Sequence, residues 1–269
     1  MNIAVIQMRA TEDKEKNIQR ALALSHRAVA RGAAFIALPE AFHYRGRPHR
    51  SRGLSGVAEN IPGPSSKPFM AFAQKHKAYV LLGSLAEKVP RGMKVFNTSV
   101  LIDSRGRIAA RYRKINLFDA TVGGKKHKES RWLRPGTALK TARIGAFTAG
   151  LSICYDIRFP SVYQRYAQRG ADIMCVPACF TKATGRAHWE ALLRARAIET
   201  LSYVIAPNQY GTDRRGVTCY GNSMIVGPWG EVLARARGAR EEIIYATLDR
   251  ASLRAARKRL PAIRRKGRR

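Results

Sequence analysis

The sequence predicts an α/β protein, arranged as a four-layer α-β-β-α sandwich. Three observations in the 269-residue chain support this fold. Strand-like and helix-like patterns alternate along most of the chain, and a similar order of elements occurs in both halves. The strand-like runs are also almost continuously apolar, which is typical of strands that are buried on both faces. We therefore expect two sheets packed face to face, each covered on its outer face by helices.

The first half begins with a buried strand, NIAVIQM, and an amphipathic helix, KEKNIQRALALSHRAVARG, which ends at Gly32. The next strand, AAFIALPE, is expected to end at Pro39, because proline has no N–H group to donate to a neighbouring strand. A helix in SSKPFMAFAQKHK then leads to the strands AYVLLGSLAE and VFNTSVLID. The segment DSRGR predicts a hairpin turn into a further strand, IAARYRKI.

The second half follows a similar order. It starts with strands in ARIGAFTAGLSIC and a helix in FPSVYQRYAQRG that ends at Gly170. The strand ADIMCVP precedes a long helix, RAHWEALLRARAIETL, and a further strand, SYVIAPNQ. The segment NSMIVGPWGEVLARA predicts a hairpin, and the strand EIIYATLD and a short helix ASLRAARKR complete the pattern.

No linker rich in proline or serine interrupts this pattern, so we expect a single domain over 1–259 and a basic C-terminal tail over 260–269. The first residues, MNIAVIQMRA, fit neither a signal peptide nor a membrane span. The four cysteines are too few for a disulfide scaffold, and they lack the spacing of a zinc site. We therefore expect a soluble cytoplasmic protein with reduced thiols and no metal.

The chain is strongly basic, with 50 Lys and Arg residues against 18 Asp and Glu residues and a formal net charge of +32. Such a charge attracts polyanions and small anions. The basic residues are dispersed, and they are densest in the C-terminal run RKRLPAIRRKGRR. One interpretation is a solvated surface with a frayed basic end, and the other is binding to RNA, lipid or an acidic substrate. The sequence has no interleaved aromatic residues to favour dedicated nucleic-acid recognition.

Three reactive side chains each follow an apolar, strand-like run: Glu40, Lys114 and Cys154. A nucleophilic cysteine site could be assembled from such distant segments. In a strand, Lys114 would share the buried face with Tyr112, opposite Arg111. Taken singly, Cys154 could be a buried structural cysteine and Glu40 a solvated carboxylate. Together they indicate a nucleophile, a general base and a buried ammonium ion that needs a carboxylate partner.

Two neighbours of Cys154 suggest how its turn is held. Asp156 and Arg158 follow it in CYDIRFP, and we expect them to form a charge pair that makes the turn rigid. His188 offers an alternative base for the cysteine, but a Cys-His dyad would leave Glu40 and Lys114 unexplained.

Several segments together give the chain a clear resemblance to the nitrilase superfamily of carbon-nitrogen hydrolases. They occur in the order LPEAF, YRKINLFD, ES at Glu129 and Ser130, GLSICYDIRFP, TGRAHWEALLRARAIET, YVIAP and GNSMIVGPWGEVLA. The resemblance implies the α-β-β-α fold and a Glu40, Lys114 and Cys154 triad that Glu129 assists. It also implies that no cofactor or metal is needed, and that subunits pair, as a homodimer or a higher homo-oligomer, through helices near the nucleophile.

Within this superfamily the chain is most similar to the amidase branch that includes deaminated-glutathione amidase and omega-amidase. The resemblance implies that a small carboxylate-bearing amide is hydrolysed through a thioester with release of ammonia. It also implies four substrate-binding residues: Phe42, Phe180 and Thr181 in the pocket wall, and Tyr155, whose backbone N–H would stabilise the tetrahedral oxyanion. Hydrolysis of N-carbamoyl compounds or of nitriles is the alternative within the superfamily, and non-catalytic polyanion binding is a more distant one.

Two positions depart from the pattern of the superfamily. Asn116 and Asn222 stand where relatives often carry histidine. Both are expected to shape the pocket or its support.

Overall fold

The computed structural model describes residues 1–48, 53–90 and 92–263. The strands are β1 (Asn2–Gln7), β2 (Phe35–Ala37), β3 (Tyr79–Lys88), β4 (Val95–Ile102), β5 (Ile108–Arg113), β6 (Asp119–Val122), β7 (Lys125–Lys128), β8 (Thr141–Ile144), β9 (Phe147–Leu151), β10 (Ile173–Cys175), β11 (Tyr203–Ala206), β12 (Tyr210–Thr212), β13 (Thr218–Tyr220), β14 (Met224–Val226), β15 (Val232–Arg235) and β16 (Glu242–Thr247). The α-helices are α1 (Lys14–Ala30), α2 (Lys67–His76), α3 (Pro160–Gln168), α4 (Lys182–Thr184), α5 (Glu190–Thr200) and α6 (Arg250–Arg259). Short 3-10 helices cover Glu129–Arg131 and Cys154–Arg158, and a π-helical turn covers Gly185–Trp189.

The strands form two six-stranded sheets with the same plan. The first sheet has the order β16-β1-β2-β3-β4-β5, and the second has the order β15-β14-β11-β10-β9-β8. In each sheet the three central strands are parallel and are connected through helices, whereas the outer strands pair antiparallel. The repeated order of elements in the sequence therefore corresponds to two similar sheets.

Strand β1 shows why the sheets stack into layers. Its residues alternate between two buried faces, with Ile3 and Val5 in the core between the sheets and Ala4 and Ile6 in a second core. That second core includes Leu24 of α1 and the apolar face of α2. On the second sheet, α3 and α5 supply buried residues to the large core cluster. The predicted four-layer α-β-β-α sandwich is confirmed.

The two ends of the chain meet in the first sheet, where β1 pairs antiparallel with β16 along six residues. The amino-terminal ammonium group also donates to the carbonyl of Leu248 at 2.7 Å. This pairing favours the single domain predicted over 1–259. Of the predicted basic tail, residues 260–263 follow the end of α6, and 264–269 lie outside the described residues. Across the described ranges, no helix has the length and apolar character required to cross a bilayer.

Two small sheets were not predicted. Strands β6 and β7 pair as one two-stranded sheet, and β12 and β13 form another. The sequence over β7 is Lys-Lys-His-Lys, which lacks the apolar alternation that marks a half-buried strand. Strand β7 and the turn between β12 and β13 contribute residues to the lining of the cavity described below.

Candidate active site

Glu40 lies three residues beyond the end of β2, and its carboxylate is held on both oxygens. Its Oε1 accepts hydrogen bonds from Asn97 Nδ2 at 2.8 Å and from Lys114 Nζ at 3.0 Å. Its Oε2 accepts from the backbone N–H of Cys179 at 2.8 Å. The next residue, Ala41, has a φ of 52°, so the chain turns sharply directly after the glutamate. These contacts fix the direction in which the carboxylate faces.

Lys114 follows β5 and is almost completely buried, as the alternation along this strand predicted. Its ammonium group lies between two carboxylates, with Glu40 Oε1 at 3.0 Å and Glu129 Oε2 at 2.9 Å. Burial opposes the positive charge, but Glu129 and Glu40 outweigh this effect and raise the pKa of Lys114 well above its ordinary value. Lys114 is therefore a permanently charged group at the base of the site.

Glu129 is held from two sides. Its Oε1 accepts from Lys114 Nζ at 3.0 Å, and its Oε2 accepts from the backbone N–H of Phe118 at 2.8 Å. It also lines the cavity that contains Glu40 and Cys154. The structure thus gives Glu129 a direct means of positioning Lys114.

Cys154 lies at the start of a 3-10 helix just after β9, in a left-handed conformation with a φ of 47°. A non-glycine residue in this region is strained and persists only where its surroundings impose it. Its N–H donates to the carbonyl of Pro177 at 2.9 Å, which is one such restraint. Burial and the neighbouring Glu40 raise the pKa of the thiol well above its ordinary value, against the opposing effect of Lys114. The resting cysteine is therefore a neutral thiol that needs a base.

Asp156 stabilises the turn at Cys154 through the hydrogen bonds that its carboxylate accepts. Its Oδ2 accepts from Tyr112 Oη at 2.7 Å and from the N–H of Ile153 at 2.9 Å. Its Oδ1 accepts from both the N–H and the Nδ2 of Asn116, each at 2.9 Å. Burial raises the pKa of Asp156, although each of these hydrogen bonds acts to lower it. Asn116 therefore supports the turn that carries the cysteine.

The predicted charge pair between Asp156 and Arg158 is wrong. Arg158 instead extends over the rings of Tyr155 and Phe180, with its guanidinium carbon 5.9 Å and 5.3 Å from their centroids. Successive side chains of a 3-10 helix point in different directions, so Asp156 faces the core while Arg158 faces the cavity. Arg158 also contacts His188 Nδ1 at 3.2 Å.

A cavity of about 600 Å³ is lined by Glu40, Glu129 and Cys154 together. Lys114 lies directly behind the two glutamates, so all four predicted catalytic residues meet at one place. His188 is not part of the cavity lining, which disfavours the alternative cysteine-histidine dyad.

Three of the four predicted substrate-binding residues line this cavity: Tyr155, Phe180 and Thr181. Phe42 does not, and this expectation is corrected. Its side chain is fully buried in the core that α1 and α2 share with the first sheet, where it packs edge-on against Phe69 at 5.5 Å. The sharp turn at Ala41 directs Phe42 away from the reactive groups.

One part of the wall is basic, whereas side chains such as Phe96 and Trp132 make much of the rest apolar. Arg158, Arg215 and three lysines of the β6–β7 hairpin region line the cavity: Lys125, Lys126 and Lys128. Arg214, the neighbour of Arg215 in the sequence, instead pairs with Glu12 at the surface. Asn222 lies outside the lining and receives hydrogen bonds from Arg235, so its role is structural support.

Several contributors to the site were not identified from the sequence. Asn97 is a polar residue within the apolar strand VFNTSVLI, a signal that could have marked it. The backbone N–H groups of Cys179 and Phe118 carry no sequence signal at all, because any residue but proline supplies one. Within the part of the chain that the structure describes, no cluster of three or more metal-binding side chains occurs.

Comparisons with known proteins identify the family to which this chain belongs. The family model for carbon-nitrogen hydrolases matches residues 2–258. This chain belongs to the carbon-nitrogen hydrolase family. The human protein named omega-amidase NIT2 is 37% identical over 265 residues, which is 98% of this chain and 94% of the human one. The predicted relationship to the nitrilase superfamily and the function in hydrolysing a carbon-nitrogen bond are confirmed.

Two solved structures of the family extend the comparison. The crystal structure of Saccharomyces cerevisiae Nit3, a member of branch 10 of the nitrilase superfamily, has a TM-score of 0.88 at 30% identity and covers 100% of this chain and 97% of its own. An amidase from Nesterenkonia sp. AN1, in a mutant form with acrylamide added to its active-site cysteine, has a TM-score of 0.79 at 25% identity. That alignment covers 97% of this chain and 98% of the other.

Proposed function

We propose that this carbon-nitrogen hydrolase is a cysteine-dependent amidase that releases ammonia from a small amide bearing a carboxylate. The observation that carries the proposal is the arrangement around Lys114, whose ammonium group is held between Glu40 and Glu129 at the cavity that Cys154 also lines. A relative of known structure is itself an amidase with an active-site cysteine.

The first half of the reaction forms a thioester. Glu40 accepts the proton of the neutral Cys154 thiol as the sulfur attacks the amide carbonyl. The negative charge that develops on the carbonyl oxygen is stabilised by the Lys114 ammonium ion and by the backbone N–H of Tyr155. Glu40 then returns the proton to the leaving nitrogen, and ammonia departs.

The second half hydrolyses the thioester. Glu40, now free of its proton, activates a water molecule that attacks the same carbonyl carbon. The tetrahedral oxyanion is stabilised by the same two donors, and the Cys154 sulfur leaves and regains its proton from Glu40. The products are a free acid and ammonia, so the scheme needs only side chains and water.

The basic wall favours a substrate with a negative charge at the end remote from the amide. Arg158 lies over the aromatic wall formed by Tyr155 and Phe180, within reach of a substrate whose amide is at Cys154. A guanidinium group recognises carboxylates through paired hydrogen bonds. The omega-amide of a 2-oxo acid and deaminated glutathione fit this description, and relatives are named omega-amidases.

An ammonia-release assay over four substrate classes tests the proposal. The classes are carboxylate-bearing amides, the matching uncharged amides, N-carbamoyl amines and nitriles. We expect the highest kcat/KM with carboxylate-bearing amides, and no turnover by a folded Cys154→Ala variant. Higher activity on N-carbamoyl compounds, with carbon dioxide as a product, would favour the alternative hydrolase instead.

The variant Arg158→Gln separates substrate recognition from chemistry. We expect it to raise KM for carboxylate-bearing amides by about 10- to 100-fold, which corresponds to loss of one charge-assisted contact. Uncharged amides of the same length serve as the control, because their KM should change little. Equal changes for both substrates would contradict recognition of a carboxylate by Arg158.

The proposal includes a homodimer that uses helix α5. Ile198 on this helix is 45% exposed and Trp229 is 49% exposed, and Gly230 beside Trp229 lies directly against Ile198. Exposed apolar residues that lie together are typical of subunit interfaces. Sedimentation analysis should give a dimer for the native protein and a monomer for Ile198→Glu.

The cytoplasmic location and the binding of polyanions stay predictions based on the sequence. Expression of a fluorescent fusion tests the location. For polyanion binding, retention of RNA should fall steeply with salt and should be lost when the chain ends at Leu260.

A further inference from the structure

Two cysteines whose side chains the proposed reaction does not use lie together at the active-site cavity, where Cys179 lines the wall and Cys219 is buried behind it. Cys179 follows β10 and Cys219 lies in β13, and their Sγ atoms are 2.7 Å apart. A disulfide bond has a sulfur-sulfur distance of about 2.05 Å. A small rotation of the two side chains would therefore bring the sulfur atoms within bonding distance.

The backbone holds these two segments side by side. The N–H of Tyr220 donates to the carbonyl of Phe180 at 2.9 Å, and Thr181 pairs with Cys219 in an isolated antiparallel bridge. The neighbouring segments therefore stay in register whether or not the sulfur atoms are bonded.

The buried guanidinium group of Arg45 lies near the two thiols. The side chain of Arg45 is only 1% exposed, and its Nη2 binds Asp213 at 3.1 Å. Its other two nitrogens, Nε and Nη1, have no hydrogen-bond partner among the described residues. Arg45 lies close enough to interact electrostatically with both sulfur atoms. This charge is available to stabilise a thiolate.

The two cysteines differ in how easily they lose a proton. The hydrogen bond from Cys219, together with the positive charges of Arg45 and Arg215, lowers the pKa of Cys179 in spite of its burial. Burial and the adjacent Cys179 raise the pKa of Cys219 well above its ordinary value. Cys179, which also lines the cavity, is thus the more acidic thiol of the pair and the one that a peroxide in the cavity can reach.

We propose that Cys179 and Cys219 are a redox-active pair that forms a reversible disulfide in the cavity wall when a peroxide enters the cavity. The Cys179 thiolate attacks one peroxide oxygen and the O–O bond breaks, which leaves a sulfenic acid on Cys179. The departing hydroxide takes up the proton that the Cys179 thiol had released to solvent, and so forms water. The Cys219 sulfur then attacks Cys179 Sγ, the S–O bond breaks, and the departing hydroxide takes the Cys219 proton. Overall, two thiols are oxidised to one disulfide and one hydrogen peroxide is reduced to two water molecules.

This pair is chemically distinct from Cys154. Because the pKa of the Cys154 thiol is raised, Cys154 is protonated at rest and a poor nucleophile toward peroxide. Oxidation is therefore expected at Cys179 first. This inference does not depend on the identity of the amide substrate.

Peptide mapping of the whole reduced protein after brief treatment with hydrogen peroxide tests the pair. We expect a linked peptide that joins Cys179 to Cys219 and disappears with dithiothreitol. The same link should form in Cys154→Ala, whereas Cys219→Ser should accumulate a Cys179 sulfenic acid that dimedone traps.

Three results would overturn the inference, and the first needs no variant. The first is oxidation of Cys154 in the native protein while Cys179 and Cys219 remain free. The second is a disulfide link from Cys179 to Cys154. The third is an unchanged oxidation product in Cys219→Ser. The mapping reports on sulfur chemistry alone, so its result is independent of any measurement of amidase activity.

Discussion

Replacement of Glu129 by glutamine tests how the buried ammonium group is controlled. In the native site, Lys114 Nζ contacts Glu40 at 3.0 Å and both oxygens of Glu129, at 3.0 Å and 2.9 Å. Glutamine keeps one oxygen acceptor but removes the negative charge. A hydrogen bond to a charged group contributes about 1.5–3 kcal/mol, and each 1.36 kcal/mol changes a rate about tenfold. We therefore expect kcat to fall about 10- to 100-fold.

The physical reason concerns the balance between the two glutamates. Without Glu129, Glu40 becomes the sole carboxylate partner of Lys114, so it binds the ammonium ion more tightly and accepts the Cys154 proton less readily. Because this effect lies in the chemical step, KM should change little. If Glu129 instead holds the substrate amide, KM will rise while kcat stays near the native value.

Steady-state measurement of ammonia release at saturating substrate distinguishes these outcomes. Glu190→Gln is a matched control, because it removes a surface carboxylate that pairs with Arg235 outside the cavity. The Cys154→Ala variant gives the background rate. Native kcat and KM values in Glu129→Gln would show that the charge of Glu129 does not control Lys114.

Three further predictions concern the supports of the site. Asn97→Ala removes a hydrogen-bond donor that lies 2.8 Å from Glu40, and we expect kcat to fall by about 3- to 10-fold in steady-state assays. Circular dichroism should show that the variant stays folded. Asp156→Asn places an amide where the buried carboxylate accepts hydrogen bonds on both oxygens, and urea titration should report a loss of about 1–3 kcal/mol. Burial lowers the pKa of His43 to about 3, so between about pH 6.5 and 3 the unfolded chain binds a proton that the folded chain rejects. Stability should therefore fall by up to about 1.4 kcal/mol per pH unit below about 6.5, and His43→Gln should flatten this slope in pH-dependent urea titrations.

The parts of the site that could be predicted are those set by strand periodicity. Alternation along β5 places Lys114 on the buried face with Tyr112 and leaves Arg111 and Arg113 on the other face. The continuous apolar character of β1, β2 and β9 predicted strands buried on both faces, and hence two stacked sheets. Local pattern was sufficient for these features because the period of a strand is fixed by the backbone.

The errors come from residues whose direction depends on an unusual backbone conformation. Phe42 was expected in the cavity, but the positive φ of Ala41 turns it into the core. No sequence signal marks this turn, since a left-handed alanine is stabilised only by its surroundings. The pairing expected between Asp156 and Arg158 failed because the intervening backbone is a 3-10 turn that points them apart.

Contacts between distant segments could not be predicted from the sequence either. The approach of Cys179 to Cys219 spans 40 positions and depends on the isolated bridge beside β13. Strand β7 carries too many charged residues to be identified by its apolar pattern, although the β6–β7 hairpin supplies much of the basic part of the cavity wall. Such features arise from tertiary structure rather than from local preference.

In the proposed reaction, Cys154 carries the acyl group during turnover. Rapid quenching of the native enzyme with a slowly hydrolysed omega-amide, followed by peptide mass analysis, measures this directly. We expect an acyl thioester on the peptide that contains Cys154 in the native enzyme, and none in Cys154→Ala. Ammonia release by Cys154→Ala at the native rate, with no adduct on the native protein, would contradict it.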